Sequence, residues 1–592
     1  MNSYTAPIAD MRFVMEAVAG LGSIQALPGC EQASDDLVEA ILEEAGKLAR
    51  NVIAPLNDIG DREGSRLVDE RVRTPKGFIE AYAEYVAGGW NALPFAPEHG
   101  GQGMPLLVST AVLEMWNSAS LGFALCPLLN IGAVDLLGKH GSAEQQATFL
   151  PRMITGEWTG TMNLTEPQAG SDVGAVKTRA VKEDGHYRIT GQKIFITYGD
   201  HDLTPNIIHM VLARVQGAPA GTRGLSLFIV PKFLVAADGA PGARNDIRTV
   251  SLEHKLGIHA SPTCVLAFGD REGAIGTLVG EENRGIEYMF TMMNNARLNV
   301  GLQGVAIAER ATQQASDYAR QRIQGKPVGA KADENRPILH HPDIRRMLLS
   351  MRARTEAARA LAYFTAATAD RARCNPDSAQ AEAEQRLTDL LIPVVKAWCT
   401  DLGTAVASTG IQIHGGMGYI EETGAAQHFR DSRICAIYEG TNGIQANDLL
   451  GRKLMRDQGE AAFALLARMR QTGGATNPDL IAIRTHLDAG IEALDTATRD
   501  LIALWPVNQA EALCGAVPYL RMFGWVTAGW LMALAAAEAE AKRGEEGADR
   551  PFLDAKILTA RFFAEQYLPP AASLLSAVRN GGTILRLDPE RL

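Results

Sequence analysis

The sequence predicts a mostly α-helical α+β protein of several domains, with one β-rich stretch set between long helical ones. Three observations carry that reading. Apolar residues recur at spacings of three and four on both sides of a central stretch. Between about residues 160 and 280 the segments turn short and β-branched, with Gly and Pro between them. A chain of 592 residues also exceeds one ordinary core, so three or four domains are expected.

From Ser34, the residues Leu37, Ile41, Ala45, Leu48 and Val52 mark one helical stripe, with acidic residues near its start and Pro55 closing it. Helical sequence runs on to about residue 158, broken by the turn-rich PEHGGQGMP at 97–105. The segments HYRITGQKIFIT, NIIHMVLARV, RGLSLFIVPK, NDIRTVSLEHKLGIH and SPTCVLAF then read as an antiparallel β-domain. Long helices return from Glu287 to about Met455, interrupted by a polar loop at 325–343. Beyond 456, Asn477-Pro478-Asp479 signals a new helix, whose face is Leu487, Ile491, Leu494 and Leu501 before Pro506. The expected domains are therefore 1–158, 159–282, 283–455 and 456–592.

Composition narrows the function. With 57 Lys plus Arg against 68 Asp plus Glu, the net charge of −11 argues against a nucleic-acid surface. Seven scattered cysteines without CxxC spacing predict neither a disulfide framework nor structural zinc, and point to a reducing cytoplasm. The twelve histidines show no HExxH or comparable ligand spacing, so no metal site is expected. The first twenty residues lack a basic start followed by an apolar run, which predicts no secretory or transit signal. Met522–Ala537 is apolar but short for a membrane span, and is expected to be a core helix.

Three stretches could carry chemistry. In TMNLTEPQAGSDVGAVKT (161–178), Thr165 and Ser171 offer hydroxyls and Gly170 allows close backbone approach; an ordinary hydroxyl-rich loop reads the same way. GQKIFITYG (191–199) is an alternating strand with Phe195 and Thr197 on one face, suited to a flavin ring or to β-core packing. IQIHGGMG (411–418) is followed by IYEGTNGIQ (437–445), where Glu439 stands between an apolar stretch and a Gly, and Thr441 can cap the next helix. A carboxylate whose pKa is raised by apolar neighbours suits a general base; a solvated Glu before a helix is the plainer alternative.

Taken together, TEPQAGSD, then KIFIT about 22 residues on, then QIHGGMG and IYEGTNGIQ resemble the acyl-CoA dehydrogenase family in wording, order and spacing, over about residues 35–455. The resemblance implies a helical domain, a β-domain and a four-helix domain with FAD at their junction. It makes Glu439 the base that removes the substrate α-proton, with its own backbone N–H among the donors to the developing enolate oxygen.

It further assigns Thr165 and Thr197 to the isoalloxazine edge, with Met162, Leu164, Phe195 and Ile196 beside them. Ser171 falls near the pyrophosphate and the pantetheine, and Phe195 stands where many relatives have Trp. Arg322 matches an Arg that reaches a neighbouring subunit's FAD pyrophosphate, and His341 matches a position near FAD. Gln412, Gly415 and Gly416 match adenosine and phosphate contacts, while Thr441 and Gly443 follow the base onto the cofactor. On the CoA side stand Arg297, Asn294 (where many relatives carry Asp), Gly440 and Arg452, which is displaced by one residue.

The family's short members end near residue 455, usually as tetramers; the roughly 135 residues added here are expected to cover a dimer–dimer surface and leave a homodimer. The opening YTAPIADMRFV, LNDIGDREG and GGWNALPFAPEHGGQG look most like long members acting on 3-(methylthio)propanoyl-CoA, with a fatty acyl-CoA dehydrogenase as the alternative. An acyl-CoA oxidase or a non-catalytic DNA-associated relative are further alternatives. Electron-transfer flavoprotein is the implied electron acceptor.

Overall fold

The computed structural model describes residues 4–329, 336–471 and 477–591, so part of the 325–343 loop lies outside the described residues. The chain divides into two compact units. One comprises Met1–Glu43, Pro105–Glu114 and Val300–Leu592; the other comprises Glu44–Met104 and Met115–Asn299.

The second unit holds the strands β1 (Arg66–Val68), β2 (Arg71–Arg73), β3 (Thr159–Asn163), β4 (Arg179–Glu183), β5 (His186–Thr197), β6 (Ile207–Val215), β7 (Leu225–Pro231), β8 (Phe233–Val235), β9 (Pro241–Arg244), β10 (Ile247–Leu252), β11 (Thr263–Phe268) and β12 (Ala274–Val279). Among the described residues, eight of these form one sheet in the order β10-β11-β5-β12-β7-β6-β3, with β4 against β5 and β6. The pairing is antiparallel except that β3 and β4 each run parallel to β6. β3 ends in the first three residues of TMNLTEP, a stretch that reads as loop by composition. Thr161 and Asn163 gain their place there from buried hydrogen bonds: Thr161 Oγ1 meets His209 Nδ1 at 2.7 Å, and Asn163 Nδ2 donates to Thr161 Oγ1 at 2.8 Å.

The unbroken apolar run in β6 follows from burial on both faces. Ile208, Met210 and Leu212 join a core with Leu137, Phe149 and Trp158, while Val211, Ala213 and Val215 join Ile189, Phe228 and Phe268. The helix Ala143–Thr155 that supports the first core starts with a reciprocal cap: Gln145 N donates to Ser142 Oγ at 3.2 Å and Ser142 N to Gln145 Oε1 at 3.0 Å.

The first unit is helical. Gly285–Gln321 enters it from residue 300, followed by Pro342–Cys374, Ser378–His414 and the shorter Asn442–Asp448. Gly304 and Gly403 let two of these helices touch backbone to backbone, since a Cβ on Gly403 would stand 2.5 Å from the Gly304 carbonyl oxygen. The helices Pro478–Leu504, Ala516–Lys542 and Arg550–Arg579 follow. They are part of the same core. Lys556, 2% exposed, donates to Glu356 at 2.8 Å and also pairs with Asp10 near the opposite end of the chain. Arg359, equally buried, binds both oxygens of Glu114 at 3.0 and 3.1 Å and Glu309 at 2.7 Å. Breaking such a buried pair from one side costs about 3–5 kcal/mol.

Two sequence expectations need adjusting. The helix beginning at Asp35 and the π-helix that continues it bury Val38, Leu42, Ala45, Ala49 and Ile53, all but Ala45 one position along from the stripe read from the sequence, and leave Leu37 39% exposed. The stretch carries two adjacent apolar rows, and the fold buries the one through Val38 and Leu42; beyond them the chain widens into a π-helix at Ala49–Ile53. In β5, a bulge opposite Cys264–Leu266 breaks the expected alternation, so that the buried residues Lys193 and Ile196 are three apart. The helix face Leu487, Ile491, Leu494 and Leu501 is buried as expected, and Asn477 Oδ1 caps that helix by accepting from Asp479 N at 2.8 Å. Met522–Ala537 lies within Ala516–Lys542, one of three described helices long and apolar enough to cross a membrane; its apolar window is 78% buried in the fold.

Candidate active site

In the unit that holds the sheet, the loop after β3 is tied to the bulged end of β5. Ile194 N donates to the Thr165 carbonyl at 2.9 Å and Lys193 Nζ to the Leu164 carbonyl at 2.9 Å. Between them lies a buried ion pair, Lys193 Nζ to Glu166 Oε1 at 2.8 Å. The same carboxylate accepts from Lys177 N at 2.7 Å, Thr178 N at 3.0 Å and Thr178 Oγ1 at 2.6 Å. Burial works to raise the Glu166 pKa, but the Lys193 charge and these hydrogen bonds outweigh it and hold it at about 2. Glu166 is thus an anchor for the loop that carries Thr165 and Ser171.

The bulge presents Phe195 in the left-handed region, at φ 59°, with the residue 58% exposed. Thr165, Thr197, Met162 and Leu164 are half-buried and Ile196 is buried, while Ser171 is exposed. A bulky residue held open in strained backbone at a sheet end invites a functional explanation. In the same unit Asn294 is half-buried and Arg297 is buried on the helix Gly285–Gln321.

In the helical unit, Glu439 also lies in the left-handed region, at φ 57°, followed by Gly440 at φ 87°. For a residue with a Cβ that conformation costs about 1–2 kcal/mol, so its surroundings must impose it. Downstream, Gln445 Nε2 donates to the Glu439 and Gly440 carbonyls, each at 3.3 Å, and Thr441 Oγ1 caps the next helix by accepting from Ile444 N at 3.3 Å. Asn442 is fastened to the helix Ser378–His414: it accepts from the buried Lys396 Nζ at 2.9 Å and donates to Asp401 Oδ1 at 2.7 Å. Upstream, the Tyr438 hydroxyl donates to Gln303 Oε1, and Cys435 Sγ approaches the same oxygen at 3.8 Å. Burial and the neighbouring Cys435 push the Tyr438 pKa well above its ordinary value, so it stays a donor. Glu439 itself is half-buried.

The remaining positions cluster at helix ends of this unit. Gly415, at φ 60°, ends the helix Ser378–His414, and a Cβ on it or on Gly416 would meet nothing within 4 Å. Gln412, Gly415, Gly416 and Gly443 are exposed. Arg322 lies just before the 325–343 loop and His341 near its end, with Arg322 Nη2 donating to Gln324 Oε1 at 3.3 Å and His341 Nε2 2.9 Å from the Gln324 carbonyl. Arg452 pairs with Asp448 at 3.1 Å. Glu166, Lys193, Gln303 and Asn442 were not singled out from sequence. Glu166 and Lys193 lie 27 residues apart, Asn442 and Lys396 46, and Gln303 and Tyr438 135, distances over which periodicity carries no signal.

Comparison with known proteins bears on this geometry. Models of the acyl-CoA dehydrogenase N-terminal, middle and C-terminal domains match residues 36–157, 161–270 and 283–454, and an "acetyl-CoA dehydrogenase C-terminal like" model matches 465–588. The chain is 48% identical over 587 residues, 98% of its length and 99% of the relative's, to a 3-methylmercaptopropionyl-CoA dehydrogenase of Ruegeria pomeroyi. The chain belongs to the acyl-CoA dehydrogenase family. It is 35% identical to a butyryl-CoA dehydrogenase of Syntrophomonas wolfei, with 97% of each chain covered. A solved acyl-CoA dehydrogenase from Bacillus anthracis complexed with FAD shares the fold, at a TM-score of 0.75 and 22% identity, covering 96% of this chain and 91% of the other.

As a member of this family, the protein is an FAD-dependent oxidoreductase that dehydrogenates acyl-CoA thioesters. Its residues fit that cofactor. The half-buried Thr165 and Thr197 hydroxyls and the exposed Phe195 ring offer hydrogen bonds and an aromatic contact to a ring system, and the uncrowded Gly415-Gly416 backbone and Arg322 suit phosphate oxygens.

Proposed function

We propose that the chain converts 3-(methylthio)propanoyl-CoA to 3-(methylthio)acryloyl-CoA in the cytoplasm, with Glu439 as the base. The carrying observation is the Glu439 turn, a half-buried Glu in left-handed backbone whose flanks are held by side-chain bonds from Tyr438 and Gln445. The substrate assignment is supported by 48% identity along nearly the whole chain to the Ruegeria pomeroyi enzyme of that name.

A thioester α-hydrogen is a very weak acid, so the carboxylate must be held at the α-carbon while hydrogen-bond donors stabilise the enolate oxygen. Glu439 takes the α-proton, and its backbone N–H is one such donor. FAD, when bound, supplies the acceptor for the hydride that leaves the β-carbon. Thr165 and Thr197 hold the isoalloxazine edge beside Met162, Leu164, Phe195 and Ile196. Ser171, Arg322, His341, Gln412, Gly415, Gly416, Thr441 and Gly443 hold the rest of the cofactor. Asn294, Arg297, Gly440 and Arg452 face the CoA moiety. Electron-transfer flavoprotein takes the electrons, and the assembly is a homodimer.

Dehydrogenation of a plain linear acyl-CoA is the second reading, favoured by 35% identity to a butyryl-CoA dehydrogenase over the same span. Anaerobic titration with 3-(methylthio)propanoyl-, butanoyl-, pentanoyl- and octanoyl-CoA, following bleaching of the flavin absorbance, separates the two. The methylthio thioester is expected to bleach the flavin fastest. Faster bleaching by pentanoyl-CoA, its all-carbon counterpart, would favour the second reading, and no bleaching by any thioester would defeat both. Turnover that consumes oxygen without an added acceptor would instead indicate an oxidase.

A further inference from the structure

We propose that Gln303 and Tyr438 form a clamp that positions Glu439, a role that rests on Glu439 being the base. Glu439 and Gly440 are consecutive left-handed residues, an arrangement that relaxes unless both flanks are tethered. The downstream tether is made by Gln445, which holds the carbonyls of the turn, and by Asn442. The upstream side-chain tether is Tyr438, whose hydroxyl donates to Gln303 Oε1 on the helix Gly285–Gln321.

Gln303 is an unusual choice for packing alone. It is fully buried between Leu302 and Val305, both fully buried themselves, and next to the close approach of Gly304 to Gly403. Its Nε2 is buried without a hydrogen-bond partner, so the amide is satisfied through its oxygen only. A buried, half-satisfied amide is less stable there than an apolar side chain of the same shape. What the amide provides is an acceptor for Tyr438, and Cys435 Sγ, 3.8 Å from that oxygen, closes the same corner. The tight helix crossing leaves the acceptor little room to move, and the residue it holds directly precedes the carboxylate.

The test compares Tyr438→Phe, Gln303→Met and the double variant as FAD-loaded enzymes, with the acyl-CoA that bleaches the flavin best and its α-dideuterated form. Each single variant is expected to lower kcat about tenfold, leave KM within about twofold and keep full flavin content. The double variant is expected to lose no more than either single, because both remove one bond. The deuterium isotope effect on kcat is expected to rise as proton abstraction slows, a change that a purely structural role would not produce. Tyr438→Phe removes a single oxygen, so a folding defect confined to Gln303→Met does not obscure the outcome. Wild-type kcat in Tyr438→Phe, or losses that multiply in the double variant, would overturn the clamp. Glu439→Gln run in parallel separates the two claims: activity surviving there would reject the base and the clamp's role with it, whereas an inactive Glu439→Gln beside wild-type kcat in Tyr438→Phe would reject the clamp alone.

Discussion

Phe195 and Glu439 are both non-glycine residues in left-handed backbone, yet they are held there by different means. Phe195 sits on a bulge within a sheet ladder, anchored by the buried Glu166–Lys193 pair and by backbone bonds to the Thr165 loop. Glu439 sits in a turn between helices, held by side-chain hydrogen bonds from Tyr438, Gln445 and Asn442. A ladder bond can be broken only by disturbing the sheet, so the first arrangement makes a platform whose loss costs stability. A side-chain tether can be cut by one substitution while the helices stay packed, so the second can be tuned for catalysis at little cost to the fold.

The largest expected effect is on the tunable side. Glu439→Gln should lower turnover by at least about 10³-fold while flavin stays bound, as checked by acceptor-linked assay and by absorbance of the purified protein. Wild-type turnover in a yellow variant would remove Glu439 from its role.

On the platform side the large effect is on stability. Glu166→Gln leaves Lys193 buried beside a neutral partner and is expected to cost about 3 kcal/mol, read by urea unfolding at neutral pH, together with loss of flavin. The wild-type protein carries the same dependence in its acid response. Because Glu166 is held at about 2, below its ordinary 4.5, its contribution is fully present above about pH 4.5 and is lost as pH falls from there towards 2. The variant should lack that part of the acid transition; an identical profile in both proteins would mean that the pair does not anchor the loop.

The smallest effect sharpens the contrast. Phe195→Gly relieves left-handed strain at an exposed ring and is expected to stabilise the unit by about 0.5 kcal/mol net of glycine's entropy cost, while weakening flavin binding about tenfold through the lost aromatic contact. Thermal unfolding with and without added FAD measures both. Unchanged flavin affinity would leave Phe195 as a surface residue.

Local order explains what could be read early. The succession of helical and β segments, the strand limits in HYRITGQKIFIT, the Asn477 and Thr441 caps and the buried face from Leu487 to Leu501 all depend on neighbours within a few residues. Side-chain period, cap chemistry and proline placement act over that range, so the sequence alone determines them. The motifs around Thr165, Phe195 and Glu439 were legible for the same reason, as short runs of unusual residues.

Tertiary structure decided the rest. The parallel pairing of β3 and β4 with β6, the bulge that exposes Phe195, and the left-handed turn at Glu439 each depend on partners distant in sequence. So do the roles of Glu166, which anchors a loop, and of Gln303, which spends a buried amide on one hydroxyl. Whether a buried polar group is anchor, tether or liability depends on which atom folding brings within 3 Å of it. That distance is set by packing across the whole unit, and no local pattern encodes it.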